Sequence, residues 1–458
     1  MITLNAASRP CETRPLLCAL AALLMLGYGD VLNAHEAAGD PEPPARPSVY
    51  APRPTPDRIL LTWTDDPARS LTVTWRTDDT VDDAAMEIAV AGHGPDFVDE
   101  ARRVEAETTP LQTHLGLSHY HTARATGLDP ATKYAYRVGH GDHWSAWNHA
   151  TTAAAETRPF SFVYFGDAQN DVKSMWSRVV REAFGDAPDA AFMLHAGDLV
   201  NVGDRDEEWG EWFEAGGWIH ATVPTIAVPG NHEYHLRHRP EGDGRGHGLT
   251  PHWAAQMAFP DNGPESLRGS VYYIDYQDAR VIALNSNEQL DVQARWLAEV
   301  LSDNPQRWTI VTFHHPVQSA ADDRDNPEIR EKWGPLLASD HVDLVLQGHD
   351  HTYARGQPFE QQNLAEGVTA IDKASRTIFV VSVSGPKMYG LDLEPWMKRA
   401  AQRTQLYQII RIDGDTLSYE ARTATGTVYD QFQIIKRPRV IETEPGMPER
   451  AGNKKAKP

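Results

Sequence analysis

The chain has 458 residues, a formal net charge of −21, 41% hydrophobic residues and 23% charged residues. This composition is typical of a soluble globular protein, and the length suffices for two or three domains. The excess of acidic residues disfavours a nucleic-acid-binding protein and a protein held at an acidic membrane surface, because both need a basic face.

The N-terminus, residues 1–34, has the pattern of a secretory signal peptide. Arg9 and Arg14 precede an apolar run at residues 16–28, and a small residue follows as a plausible cleavage point. The run is too short to span a bilayer comfortably, which disfavours the alternatives of a membrane anchor and a buried helix. Both cysteines lie in this segment. We therefore expect a secreted or periplasmic mature protein with no membrane span, no disulfide and no thiolate metal ligand.

A linker and a group of short strands follow. Residues 35–56 are rich in proline, alanine and charge, which indicates a linker. In residues 59–64 and 71–76 large apolar residues alternate with threonine or arginine, and a turn precedes a further strand at residues 133–138. Short strands between turns, without a helical period, predict an all-β sandwich at residues 57–155. The strand and turn spacing resembles that of a fibronectin type III domain.

After Pro159 the pattern changes to unbroken apolar strands that alternate with helices, for example residues 172–184 and 290–301. Strands of this kind are buried on both faces of a sheet, so we expect an α/β layered domain at residues 159–437. More strands near the end complete a second sheet, and residues 438–458 are predicted to be a disordered tail. The five apolar strands are residues 160–165, 190–194, 225–228, 308–313 and 342–346.

Each of these five strands runs directly into polar side chains that are able to bind a metal ion. Ligand sites of α/β sheets lie at the carboxyl ends of strands, so we expect these side chains to meet at one edge. In an extended segment His349 and His351 point to the same side, as two ligands of one site should. In chain order the residues are Asp167 and Gln169, Asp198 and Asn201, Asn231 and His232, His314 and His315, and His349 and His351.

The order of these motifs resembles the calcineurin-like metallophosphoesterase superfamily, in its purple acid phosphatase-like branch with an N-terminal fibronectin type III-like domain. The resemblance implies a four-layer α-β-β-α sandwich and two metal ions bridged by Asp198. It places Asp167 and His351 on the first metal. The second metal would be held by Asn231, His314 and His349.

The choice of His314 over His315 also follows from the resemblance, because the family's ligand lies two residues before a proline, here Pro316. His232 would lie beside the substrate and stabilise phosphate oxygens or protonate the leaving group. Asp198 and His232 are therefore the catalytic candidates. His315 and Arg355 are further candidate substrate contacts.

The implied function is a binuclear metal-dependent phosphoesterase of the acid phosphatase type, acting on small-molecule phosphate monoesters. Carboxylate, amide and imidazole ligands suit Fe, Mn or Zn, and two such ions lower the pKa of the attacking water. One alternative is a phosphodiesterase acting on nucleotides or lipid head groups. An alternative of another class is a non-catalytic binding protein on a degenerate esterase fold.

Two positions depart from the family pattern. Purple acid phosphatases have a tyrosine three residues after the bridging aspartate, where this chain has Asn201, and glycine or histidine where this chain has Gln169. We hypothesise that the Gln169 amide oxygen, or Asn201, completes the first metal site; the alternative is that both lie outside the ligand shell. The missing tyrosine predicts that a purple iron(III) centre does not form.

Overall fold

The computed structural model describes residues 48–234, 248–339, 341–358 and 377–436. The predicted signal peptide, residues 35–47 of the predicted linker and the predicted tail lie outside the described residues. From Tyr50 onward the described residues form one compact unit.

The first part of this unit is a sandwich of two antiparallel sheets, which confirms the predicted all-β domain. Its strands are β1 (Asp57–Thr62), β2 (Ser70–Asp78), β3 (Ala85–Val90), β4 (Arg102–Glu105), β5 (Glu107–Thr113), β6 (Gly116–Thr126), β7 (Lys133–His140), β8 (His143–Trp144) and β9 (Asn148–Thr151). One sheet has the order β1-β2-β6-β5, and the other β4-β3-β7-β8 with β9 paired to β7. A short 3-10 helix, Pro95–Glu100, follows β3.

Strand β2 is buried on both faces, for two different reasons. Val73 and Trp75 point into the core of the sandwich. On the opposite face, the hydroxyl of Thr74 donates a hydrogen bond to the backbone oxygen of Gln256 in the second domain, at 2.8 Å. The apolar residues of this strand therefore face the core of the sandwich, and its polar face lies against the second domain instead of solvent.

The second domain contains two further sheets. Its strands are β10 (Phe160–Phe165), β11 (Met193–His195), β12 (Thr225–Ala227), β13 (Tyr272–Tyr276), β14 (Ala279–Ala283), β15 (Trp308–Thr312), β16 (Leu344–Gln347), β17 (Tyr353–Gly356), β18 (Ile378–Val381), β19 (Met397–Ala401), β20 (Leu406–Asp413), β21 (Thr416–Thr423) and β22 (Val428–Ile435). The sheet orders are β12-β11-β10-β20-β21-β22 and β13-β14-β15-β16-β18-β17-β19.

The described helices of this domain are α1 (Ser177–Asp186), α2 (Asp206–Gly216), α3 (Pro251–Gln256), α4 (Leu290–Ser302) and α5 (Pro327–Leu337). Helices α1, α2, α4 and α5 cover the outer faces of the two sheets, whereas Ala255 of α3 packs with Leu111 and Tyr120 of the first domain. A π-helical turn, Val172–Trp176, precedes α1, and short 3-10 turns occur at Gly217–Ile219, Asn231–Glu233 and Glu265–Leu267. Among the described helices, none combines the length and the apolar character needed to cross a membrane.

Side-chain packing shows how the helices and the two sheets of the second domain are layered. Phe165 of β10 contacts Trp176 edge to face, beside α1 and α2. Leu297 of α4 and Trp333 of α5 pack against Val311 of β15 on the outer face of the other sheet. The inner faces of the two sheets share one core. The predicted four-layer α-β-β-α sandwich is therefore confirmed.

Asp206, at the start of α2, joins the two domains through two buried arginines. Its Oδ1 lies 2.7 Å from Nη1 of Arg58, and its Oδ2 lies 2.8 Å from Nη1 of Arg76. The three side chains are at most 2% exposed. Because these charges lack solvent, their mutual pairing fixes the first domain against the second.

Candidate metal centre

The described ends of the five predicted strands converge at one place. Asp167 follows β10, Asp198 follows β11, and Asn231 begins the 3-10 turn after β12. His314 follows β15, and His349 follows β16. These strands are parallel neighbours within their sheets, β10-β11-β12 and β15-β16, so their carboxyl ends lie on the same side.

The first group of side chains is Asp167, Asp198 and His351, whose ligand atoms all lie within 4.8 Å of one another. Nε2 of His351 is 3.1 Å from Oδ2 of Asp167. The other ring nitrogen, Nδ1, is 2.8 Å from the backbone oxygen of Lys387. A hydrogen bond to that carbonyl leaves the lone pair on Nε2, which faces the carboxylates.

Gln169 lies inside this first group. Its Nε2 is 2.8 Å from Oδ2 of Asp198 and 2.9 Å from Nε2 of His351. Its Oε1 is buried and has no hydrogen-bond partner among the described residues. Asn201, by contrast, contacts the centre through its backbone oxygen, which lies 2.5 Å from Nδ1 of His232. Gln169 and Asn201 both depart from the family pattern. The amide of Gln169 lies among the candidate ligands, whereas Asn201 contacts the centre through its backbone.

The second group surrounds Nε2 of His314. This nitrogen is 3.2 Å from Oδ2 of Asp198, 3.1 Å from Oδ1 of Asn231 and 3.1 Å from Nδ1 of His349. Nδ1 of His314 is 2.9 Å from the backbone oxygen of Ala196, which orients the ring. Oδ2 of Asp198 thus belongs to both groups.

Two other predicted residues border the centre. His315 has its ring 4.2 Å from that of His349, and its Nδ1 is 2.8 Å from the hydroxyl of Ser286. The backbone N–H of His232 donates to Oδ1 of Asp198 at 3.0 Å, and Nε2 of the same residue is 3.9 Å from Oδ2 of Asp198. His232 is therefore beside the shared carboxylate with one ring nitrogen facing it.

Arg355 is engaged elsewhere. It lies on β17, where its guanidinium pairs with both carboxylate oxygens of Asp430, at 2.7 and 3.0 Å. The structure does not bring its charge to the candidate ligands, and its contact with a phosphate stays a prediction.

The expectation that His349 and His351 lie in an extended segment is wrong. Both have positive φ, 74° and 48°, and Asp198 has φ 50°. These left-handed backbone conformations turn the chain sharply, so His349 enters the second group and His351 the first. Such conformations cost free energy in residues other than glycine, and residues strained in this way concentrate at functional sites.

Close approach of backbone explains why glycine precedes several of these residues. A Cβ at Gly230 would lie 2.0 Å from Oδ1 of Asp198, and a Cβ at Gly348 would lie 2.3 Å from Oδ1 of Asp167. Any larger residue would push these carboxylates away from their positions.

Glu233 is a residue of the site that sequence reasoning missed. Its buried carboxylate accepts backbone hydrogen bonds from Asp198 at 2.9 Å, Leu199 at 2.8 Å and Gly230 at 2.7 Å. Burial and the nearby charge of Asp198 raise the pKa of Glu233 above its ordinary value. In the sequence, the signal for this residue was a carboxylate directly after the Asn231-His232 motif. In the structure, Glu233 holds the turn that carries Asp198 against the turn that carries Asn231.

The charges of Asp198 and His314 depend on each other. Burial opposes ionisation of Asp198, but His314 outweighs it and holds the pKa of the carboxyl well below its ordinary value. Burial likewise opposes protonation of His314, but Asp198 and Asp167 raise the pKa of that imidazole to about 9. The same carboxylates that favour a proton on His314 also favour a metal cation in its place.

The donor set fits two metal ions. Each group offers carboxylate, imidazole and amide donors, the ligand types of Fe, Mn and Zn sites without thiolate. Oδ2 of Asp167 and Oε1 of Gln169 are buried without hydrogen-bond partners among the described residues. Buried acceptors of this kind are costly unless a partner binds them, and a cation would be such a partner.

Comparison with known proteins places this arrangement in a family. The chain matches the model for the N-terminal domain of purple acid phosphatase over residues 56–152 and the model for calcineurin-like phosphoesterase over residues 160–353. The chain thus belongs to the calcineurin-like phosphoesterases. Within them, it belongs to the branch that carries the purple acid phosphatase N-terminal domain.

Individual relatives are distant. An uncharacterised protein of Mycobacterium tuberculosis is 26% identical over 352 residues, which are 69% of this chain and 65% of that protein. The phosphoenolpyruvate phosphatase of Allium cepa is 25% identical over 363 residues, 74% of this chain and 71% of that enzyme. The structure of a purple acid phosphatase from yellow lupin seeds has a TM-score of 0.67 at 20% identity, covering 83% of this chain and 74% of that one. This chain therefore spans about two thirds of the length of the mycobacterial relative.

Proposed function

We propose that this protein is a binuclear metal-dependent phosphoesterase of the acid phosphatase type that hydrolyses small-molecule phosphate monoesters. The observation that carries the proposal is Oδ2 of Asp198, which is 2.8 Å from the amide of Gln169 in the first group and 3.2 Å from His314 in the second. One carboxylate oxygen shared by two sets of donors suits a bridging ligand. Two bound ions would supply an activated water and neutralise charge on the phosphate.

Each ligand assignment is part of this proposal. Asp167, Asp198 and His351 would hold the first ion, with Gln169 completing the set after its amide turns so that Oε1 faces the ion. The two ends of an amide are interchangeable in shape, so this turn needs no other movement. Asn231, His314, His349 and the shared Asp198 would hold the second ion.

His232 would act on the substrate. Its Nδ1 is held by the backbone oxygen of Asn201 at 2.5 Å, which fixes the ring and turns Nε2 towards the shared carboxylate. In the imidazolium form, which carries a proton on both nitrogens, Nε2 would donate a hydrogen bond to a phosphate oxygen or a proton to the leaving oxygen. His315, held by Ser286, would line the same face.

The iron(III)-tyrosinate colour is not expected. Asn201 stands where the family has tyrosine, and a neutral amide from Gln169 adds no charge that would favour a trivalent ion. The iron-loaded protein is expected to lack a strong visible band, whereas the Asn201→Tyr variant offers a phenolate next to the first site. A strong band in the wild-type spectrum would contradict the proposed ligand set.

Export also belongs to the proposal. It rests on the signal-like sequence of residues 1–34, and the domain limits 57–155 and 159–437 are proposed with it. Mass spectrometry of protein recovered from the exported fraction would be expected to show cleavage near Ala34.

The activity is tested with p-nitrophenyl phosphate and bis-p-nitrophenyl phosphate, each with Mn, Zn or Fe. The proposal expects turnover of the monoester and its loss in Asp198→Ala. Turnover of the diester alone would favour the phosphodiesterase alternative. No turnover with any metal, and no effect of Asp198→Ala on metal content, would favour a non-catalytic binding protein.

A further inference from the structure

A further strand, beyond the five predicted ones, ends at the candidate metal centre. Strand β14 is parallel to β15, so its carboxyl end lies on the same side as that of β15, which leads into His314. The turn at residues 285–288 follows β14 and precedes α4. Asn285 is fully buried and Ser286 is 7% exposed, so the start of this turn is packed inside the protein.

This turn contacts two segments that carry candidate site residues. Oγ of Ser286 accepts the backbone N–H of His315 at 3.0 Å and lies 2.8 Å from Nδ1 of the same residue. Nδ2 of Asn287 donates to the backbone oxygen of Pro229 at 3.1 Å, two residues before Asn231. The turn therefore lies between His315 and the segment that carries Asn231.

A second pair of contacts ties the turn to the other end of that segment. The hydroxyl of Tyr234 accepts a hydrogen bond from Nδ2 of Asn285 at 2.7 Å and donates one to Oε1 of Glu288 at 2.5 Å. The segment 229–234, which includes His232, is thus held by the turn at both of its ends.

The turn itself is held by one side chain of α4. Oε1 of Gln293 accepts the backbone N–H of Asn285 at 2.9 Å, and Nε2 of Gln293 donates to the backbone oxygens of Asn285 and Glu288, both at 2.7 Å. Gln293 is fully buried. A backbone N–H only donates and a backbone oxygen only accepts, so only this orientation of the amide satisfies all three hydrogen bonds.

We propose that Gln293 is a positioning residue for the phosphatase reaction: it holds the turn so that His315 and His232 keep their places beside the substrate phosphate. The inference rests on the proposed phosphoesterase function. In the part of the chain that the structure describes, the Gln293 amide bonds only to this turn. Without it, three buried backbone groups would lose their partners, which is costly, and the turn would move. The hydroxyl of Ser286 would then leave His315.

The test compares metal-loaded wild type with Gln293→Met and Gln293→Glu. Methionine keeps the length without the hydrogen bonds. Glutamate keeps the shape and the acceptor, but it places an oxygen opposite two carbonyl oxygens. For both variants, we expect the Kd of inorganic phosphate, measured by calorimetry, and the KM for p-nitrophenyl phosphate to rise about 10-fold. The kcat should fall less than about threefold, and the Mn content should be unchanged. Wild-type phosphate affinity in either variant would overturn the inference.

The matched control is Leu297→Ala, one helical turn further along α4. Leu297 is fully buried and packs with Val311, so its truncation leaves a cavity without touching the turn. This variant should be less stable to urea but should keep the wild-type Kd of phosphate and KM. An equal rise of KM in Leu297→Ala would show that the Gln293 variants act through a general loss of stability, and would overturn the inference.

Ser286→Ala removes one hydroxyl at the other end of the same link, and it decides the question if the Gln293 variants do not fold. It should raise the Kd of phosphate by a similar factor. The double variant with Gln293→Met should lose clearly less than the product of the two single effects, because both act through one link. An unchanged Kd in Ser286→Ala, or a full product in the double variant, would overturn the inference. If the wild type cleaves neither ester, the proposed function fails, and the phosphate titration still decides the role of Gln293.

Discussion

The carboxylate of Asp198 lies against the imidazole of His314, with 3.2 Å between Oδ2 and Nε2. The two residues follow strands of different sheets, β11 and β15. Their contact therefore joins the carboxyl ends of the two sheets of the second domain. The proposed bridging of two metal ions depends on the position of the Asp198 carboxylate, and the backbone packed around Asp198 sets that position.

The first prediction concerns Gly230, which packs against Asp198. In Gly230→Ala the new Cβ would lie 2.0 Å from Oδ1 of Asp198, so the carboxylate must move. We expect metal affinity and phosphatase activity to fall at least about 10-fold, while the far-UV circular dichroism stays the same. Calorimetric titration with Mn²⁺ measures the affinity.

Gly185→Ala is the control for this substitution. Gly185 lies in α1, and a Cβ there would meet no atom within 4 Å. Alanine is the better helix former, so metal affinity should not change and stability should rise slightly. Full metal affinity in Gly230→Ala would contradict the tight packing described around Asp198.

The second prediction concerns the junction between the domains. Asp206→Ala leaves Arg58 and Arg76 buried without their shared carboxylate. Arg76 still pairs with Asp57 at 2.7 Å, whereas Arg58 loses the carboxylate that it contacts. We expect the free energy of unfolding to fall by about 3–5 kcal/mol, because the guanidinium of Arg58 is then left buried without a counter-charge. Urea denaturation measures the loss.

An exposed ion pair in the same sandwich provides the comparison. Glu107 pairs with Arg124 at 2.8 Å, and their side chains are 77% and 42% exposed. Glu107→Ala should cost at most about 1 kcal/mol. A loss for Asp206→Ala as small as that for Glu107→Ala would show that the junction contributes little to stability.

The third prediction is an acid-sensitive part of the stability. His220 is buried and stacks on Trp212 with ring centres 4.0 Å apart, and burial lowers its pKa to about 4. The ordinary value is about 6.5. Because the folded-state pKa is the lower one, the unfolded chain binds more protons between these values. Stability is therefore present above pH 6.5 and is lost as the pH falls towards 4.

We expect His220 to account for a loss of about 1.5 kcal/mol in the free energy of unfolding between pH 6.5 and 5. His220→Gln cannot take up this proton, so its stability should fall less over the same range, although it starts from a lower value. Urea denaturation at the two pH values measures both. An equal fall in wild type and variant would show that His220 does not cause it.

The sequence predicted the fold and the candidate ligands through one kind of signal, apolar strands that end in Asp, Asn or His. That signal is local, and it is reliable because parallel strands place their ends together. It did not predict the positive φ of His349 and His351. Their division between two groups was expected only from the family resemblance. Such a turn depends on the whole surrounding structure, which holds a strained backbone that the local sequence does not favour.

Glu233 was also missed, although its carboxyl group directly follows the Asn231-His232 motif, because its role depends on which turns meet in space. The choice between Gln169 and Asn201 likewise needed the structure, since both are amides near the end of a strand. The amide of Gln169 lies 2.8 Å from Asp198, whereas Asn201 uses its backbone oxygen to hold His232.

The central claim is that Asp198 bridges two metal ions. The most direct test is metal content by mass spectrometry after dialysis of protein loaded with Mn²⁺, for wild type and for Asp198→Asn. The account predicts two ions per wild-type chain, and an affinity for both ions that is lower by about 100-fold or more in the variant. One ion or none in the wild type, or two retained ions in Asp198→Asn, would contradict it.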